Sequence, residues 1–231
     1  MTAAALDSAT QRAYQRCATD LRRVFGDRFV ALVAAGPSAA VAFASAIGPD
    51  DLEALASLTE SWRREGAPIP VVMTPDEFRR SLDTFPAEYQ ALLDNHVVID
   101  GVSPLEGVVI GRDDLRRACE AQARGHLIHL RQGWIEAGAH HHGLADLIAR
   151  SSAPLRQLLR NLARLHGESP ADTAALAAFA ERTAAMPASL VASILDLEQA
   201  PHRSQALVDR LPEYLAASER LWAVIDAWRA A

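Results

Sequence analysis

Lysine is absent from the chain: all 23 basic residues are arginine. That absence removes Schiff-base chemistry, which needs an amine, and the lysine of a GxxxxGK[ST] phosphate loop. Cysteine is scarce too. Cys17 and Cys119 are too few for a disulfide framework and neither belongs to a CxxC pair, so a reducing compartment is expected. No segment approaches the roughly 18 unbroken apolar residues of a membrane helix. The opening "MTAAALDSAT" has neither the basic start nor the apolar run of a signal peptide. The expectation is a soluble, cytoplasmic protein with no membrane partner. Positive charge is also in deficit, the net charge being -6. This disfavours duplex nucleic acid as a partner, because a phosphate backbone is normally bound by a basic surface that releases counterions.

What the chain does have is apolar bulk, 50% of 231 residues, enough to bury a core in one large domain or two small ones. From Leu6 to Phe25 apolar and polar residues mix at helical spacing until Gly26 stops the run. "RFVALVAAG" and "AAVAFASAI" are short apolar runs bounded by Gly and Pro, which predicts two buried strands side by side in a sheet. "GPDDLEALASLTESWRREG" predicts a helix, with Asp50 placed three residues before Glu53 as a capping pair. "PIPVVMT" reads as a third strand, followed by a helix with Thr74 as cap, Pro75 at its first position and Glu77 at its third. "HVVIDG" and "GVVIG" are weaker strand candidates around a "SPLEG" turn.

"RDDLRRACEAQARGHLIHLRQGWIEAG" then predicts one long helix. Its stripe of Leu115, Cys119, Ala123, Leu127, Leu130 and Trp134 points to a core and places Trp134 in it. Beyond residue 140 only helices are expected. Leu155, Leu158, Leu162 and Leu165 form one apolar face, and Leu211, Leu215, Trp222, Ile225 and Trp228 form another, with Pro212 at the start of the last helix or kinking it. The fold class is α+β: a small mixed sheet with helices over residues 1–112, then an all-α helical bundle over 113–231, with no internal repeat.

The segment from "VVMTPDEF" through "DTFPAEY" and "HVVIDGVSPLEG" to the helix with Leu115-Arg116, Glu120, Gly125 and Leu130-Arg131 resembles a group of bacterial nucleotidyltransferase-like proteins. In these a polymerase-β-type domain precedes a helical bundle. The resemblance implies a Gly-Ser at the end of the first strand, an Asp-x-Asp on the second and a third carboxylate on a later strand. Side chains two apart on a strand share a face, so such a pair can hold Mg²⁺ bridging the nucleotide phosphates. Here Gly36 matches the motif glycine, Pro37 stands where Ser should be, and Ser38 comes one residue late. "AAVAFASAI" and "PIPVVMT" contain no acid, and Asp50 and Asp51 are adjacent and lie past the strand. The expectation is therefore a catalytically degenerate member with no catalytic residue and no metal ligand. It would act by binding or regulation, with Gly36 and Ser38 as a remnant nucleotide site, and would need Mg²⁺ only if nucleotidyl transfer survives. A nucleotide or a protein is the expected partner, and a homo-oligomer is admitted.

Three alternatives stand beside this reading. An active nucleotidyltransferase is one. A HEPN-like ribonuclease or toxin–antitoxin component is another, suggested by the Arg-to-His spacings of Arg160 with His166 and Arg124 with His129. A zinc or nickel site drawn from His126, His129 and the run His140, His141 and His142 is the third. Against that site, consecutive histidines point in different directions, and a solvated loop between helices is the expected state of the run.

Overall fold

The structure is a computed structural model that describes residues 6–36, 39–138 and 140–228. The chain divides into two compact units, Met1–Ile110 and Gly111–Ala231, the first α+β and the second helical.

In the first unit, helix α1 (Ser8–Phe25) starts where the Asp7 carboxylate accepts the Ala9 and Thr10 N–H groups, satisfying donors that have no partner inside the helix. Strands β1 (Phe29–Ala34) and β2 (Ala40–Ala44) are antiparallel neighbours, as expected. Helix α2 (Pro49–Arg64) leads to β3 (Val71–Met73), which lies parallel to β2. Two short helices, α3 (Pro75–Arg80) and α4 (Pro86–Asn95), precede β4 (Val97–Gly101), which pairs antiparallel with β1. The sheet order is β3-β2-β1-β4. Strand alternation splits the core in two. Leu32, Ala34, Ala40, Ala42 and Ala44 pack with the Tyr14, Leu21 and Trp62 side of α1 and α2. Ala31, Val33 and Phe43 pack with Phe78 of α3 and Leu92 of α4.

Two sequence expectations change here, and one helix is new. The N-cap of α2 is Gly48, not Asp50: Pro49 takes the first helical turn, and Asp51 reaches back to the Gly48 N–H at 2.8 Å. "GVVIG" forms no strand. Val109 is 81% exposed while Ile110 is buried, and Gly107 at the start of the segment has φ +73°. Helix α4 carries no strong apolar period and was not foreseen. The capping of α3 by Thr74 and Glu77, in contrast, stands as expected.

The second unit opens with α5 (Arg112–Ala137) and continues with α6 (His141–Leu165), α7 (Thr173–Ala184), α8 (Ala188–Leu195) and α9 (Leu211–Ala227). A ten-residue 3-10 segment, Pro201–Arg210, leads into α9. The stripe of α5 is buried from Leu115 to Leu130, but Trp134 is only half-buried and Ile135 is 75% exposed. The expected core position of Trp134 is thus not realised: at this level of α5 it is Gly133 that meets α6, the Leu147 side chain lying where a Cβ would be. Helix α6 begins more than two turns before "SSAPL" and carries Pro154 in its interior. Pro154 costs the bond its N–H would make to the Arg150 carbonyl, and it lies on an exposed stretch of the helix. Pro212 sits at the start of α9. The buried stripe of α9 is Leu211, Tyr214, Ala217, Ser218, Leu221 and Ile225, so Leu215, Trp222 and Trp228 lie to its side. The Arg156 guanidinium ties three segments together, donating to Glu198 at 2.6 Å, to the Leu195 carbonyl at 2.8 Å and to the Thr173 hydroxyl at 3.2 Å.

Candidate functional site

The turn between β1 and β2 is organised from below by Tyr14. This fully buried side chain of α1 sends its hydroxyl to the carbonyls of Gly36 and Ala39, each at 2.9 Å. The Ala35 N–H meets the same Ala39 carbonyl at 2.8 Å. Burial pushes the Tyr14 phenol up to about 12, so it remains a donor across the physiological range. Gly36 has φ +88°, and nothing lies near the position of a Cβ. A glycine is needed there for its backbone angle rather than for a close approach. Of the two expected nucleotide-site residues, Gly36 has its carbonyl committed to Tyr14, and Ser38 lies outside the described residues, as does Pro37.

The strands beside this turn present no carboxylate. On β2 the side chains alternate between Ala40, Ala42 and Ala44 on one face and Val41 and Phe43 on the other, and β3 offers Val71, Val72 and Met73. Asp51 forms a two-point ion pair with Arg28 at 2.7 and 2.8 Å. That pair, helped by the Gly48 N–H, holds its carboxyl down at about 2. Asp100 on β4 is gripped in the same way by Arg22 at 2.6 and 2.7 Å, which lowers its pKa. Both carboxylates thus spend their oxygens on arginine forks, the geometry that planar guanidinium favours. Among the described residues no group of three or more His, Cys, Asp and Glu is placed to hold a metal ion.

The histidine run is helix start rather than loop. His140 is the N-cap residue of α6, and His141 and His142 occupy its first turn. The Gln205 amide bridges the latter two, its oxygen 2.7 Å from His141 Nδ1 and its nitrogen 3.0 Å from His142 Nδ1. One amide both accepts and donates, so two adjacent rings pin the Pro201–Arg210 segment to the start of α6. The Arg–His pairs go to different partners. His166 is exposed at the end of α6, with its ring against Phe179 and Trp228 at 5.7 and 6.0 Å. Arg124 lies over the Trp222 ring at 5.9 Å while His129 is exposed.

A buried polar chain in the helical unit was not foreseen from sequence, where His126 was named only as a candidate metal ligand. His126 Nε2 lies 2.7 Å from the Tyr214 hydroxyl, which donates to Ser151 Oγ at 3.0 Å, and Ser151 donates to the Ile148 carbonyl at 2.7 Å. All three side chains are buried. Because the Tyr214 proton goes to Ser151, Nε2 of His126 must carry the proton given to Tyr214. Burial, and secondarily His129, lowers His126 to about 4, while burial raises the Tyr214 phenol. Position was the available signal: His126 falls on the buried stripe of α5, and Tyr214 stands three residues after Leu211. In comparisons with known proteins, no family model, no curated protein and no solved structure matches this chain.

Proposed function

We propose that the chain is a catalytically degenerate nucleotidyltransferase-like protein that works by binding rather than by nucleotidyl transfer. The family part of this reading is supported by the sequence motifs around "DTFPAEY" and "HVVIDGVSPLEG" and by an α+β unit followed by helices. The observation that carries the loss of catalysis is β2. Its side chains are Ala, Val and Phe, all used in the two core layers, so two-metal chemistry has no same-face carboxylate pair to hold its ions. Gly36 and Ser38 remain the residues assigned to a remnant nucleotide contact. The turn is a weak cradle for phosphate, since Pro37 has no N–H and the Ala35 N–H is already given to the Ala39 carbonyl.

Calorimetric titration with nucleoside triphosphates, with and without Mg²⁺, tests this reading together with an assay for label transfer to any acceptor. The expected result is no Mg²⁺-dependent binding tighter than millimolar and no transfer. A micromolar, metal-dependent isotherm, or transferred label, overturns it.

A further inference from the structure

We propose that α6 is a jointed helix: residues 141–150 and the Pro201–Arg210 segment open together as one flap about 151–154, and the Tyr214 hydroxyl is the catch that holds the flap shut. Three features of α6 converge on that turn. Pro154 leaves the Arg150 carbonyl without the bond it would receive from four residues on. The Ser151 hydroxyl donates to the Ile148 carbonyl at 2.7 Å, a back-bond of the kind that bends helices. Ser152, fully buried at the next position, has no partner for its hydroxyl. Sharp bends in helices gather at prolines and where side chains intrude on the backbone ladder.

The two sides of the joint are packed unequally. Between 141 and 150 the buried side chains are Ala145 and Ile148, whereas between 155 and 165 Leu155, Leu158, Leu159, Leu162 and Leu165 are all buried. Segments with few buried apolar contacts open at a lower free energy than the core. The anchors differ as well. The Gln205 amide binds the rings of His141 and His142 and so couples the first side to Pro201–Arg210, while Arg156 ties the second side to Thr173, Leu195 and Glu198. Motion of the first side therefore carries Pro201–Arg210 with it and leaves α7 and α8 in place. It bares the face of α5 at Gly133, on which the Leu147 side chain sits.

The catch lies at the joint itself. Tyr214 of α9 donates to Ser151 Oγ at 3.0 Å and accepts from His126 of α5 at 2.7 Å, so a single hydroxyl fixes the joint to both neighbouring helices. Removing it leaves a buried donor and a buried acceptor unpaired while the flap is shut, and opening the flap admits water to them.

The test is hydrogen exchange of the intact protein at one neutral pH, corrected for intrinsic rates, on the parent, Tyr214→Phe and Pro154→Ala. In the parent, the amides of 145–150 and 201–210 are expected to share one level of protection, below that of 158–165. Tyr214→Phe should speed exchange in both flap segments about tenfold and leave 158–165 unchanged. Pro154→Ala, which restores the bond to the Arg150 carbonyl, should slow exchange in both about fivefold. Should Tyr214→Phe fail to fold, the comparison of Pro154→Ala with the parent decides alone. Equal protection along the whole of α6, protection that climbs residue by residue through 154 while 201–210 follows a course of its own, or variants that leave the flap segments unmoved overturn the proposal.

Discussion

Trp62 is the tryptophan whose loss the fold should feel most. It ends α2 with 1% exposure, packs into the cluster formed by Tyr14, Leu21 and Phe25, and donates its indole N–H to Asp20 at 2.9 Å. Trp62→Ala removes a full core aromatic, which costs ~3–5 kcal/mol including the cavity. The lost hydrogen bond to a carboxylate adds about 1.5 kcal/mol, at the low end because Asp20 keeps Arg23 at 2.6 Å. Against a total of about 5–15 kcal/mol for a typical domain, the sheet unit should be left marginal or unfolded. Trp62→Phe keeps the ring contact and should lose only about 1–2 kcal/mol. Trp134→Ala, at a half-buried site, should cost under ~2 kcal/mol. Urea denaturation followed by circular dichroism, with hydrogen exchange assigning each transition to residues 1–110 or 111–231, measures all three. The reasoning fails if Trp134→Ala costs as much as Trp62→Ala, or if Trp62→Ala leaves the first unit as stable as the parent.

Other expectations follow from the ion pairs and the tight turns. Asp51 is held at about 2 against its ordinary 3.8; a depressed carboxyl stabilises above its unfolded value and loses that contribution as the pH falls through its folded one. The stability difference between the parent and Asp51→Asn should therefore be constant above about pH 5 and vanish toward pH 2 in a series of urea titrations. Arg156→Ala breaks the knot among α6, the start of α7 and the end of α8 and strands the partly buried Glu198; a loss of about 2–4 kcal/mol in the helical unit is expected by the same method. Gly101→Ala places a methyl group against the Val30 carbonyl at φ +83° and should lower the thermal midpoint of the first unit, at a cost of about 2–4 kcal/mol.

Local signals were the legible ones. The box of Thr74, Pro75 and Glu77 lies within a few residues, and the structure forms it as the spacing predicts. The strand pair around Gly36 and the long α5 stripe are legible for the same reason, since short apolar runs and helical periods are properties of neighbouring residues. Contacts made across the fold left no such trace. Arg28 and Asp51 are separated by 23 residues, Tyr14 and Gly36 by 22, and His126 and Tyr214 by 88. Trp62 sits in "SWRREG" among charges, and only the placement of α1 buries it. "GVVIG" and Trp134 show the converse, favourable spacing that the fold uses only in part: Ile110 is buried while Val109 is exposed, and Trp134 is half-buried. Within the candidate site, the missing carboxylates of β2 were evident in sequence, whereas the tyrosine beneath the turn was not.

The pairing of β4 with β1 contains one further consequence. Leu32 pairs with Asp100 and Val33 with Val98, so Ile99 is an extra residue bulged out of the ladder, and its carbonyl is occupied by the Gln15 side chain at 3.0 Å. An incoming strand reads an edge as an evenly spaced row of open donors and acceptors. This edge offers a broken row, with one acceptor already taken and a local twist where the bulge lies. Foreign chains that add to β-sheets by templating, the first step of fibre growth, thus meet a border out of step with their own repeat. The bulge that fits Ile99 to α1 also works as a guard against lateral polymerisation at β4.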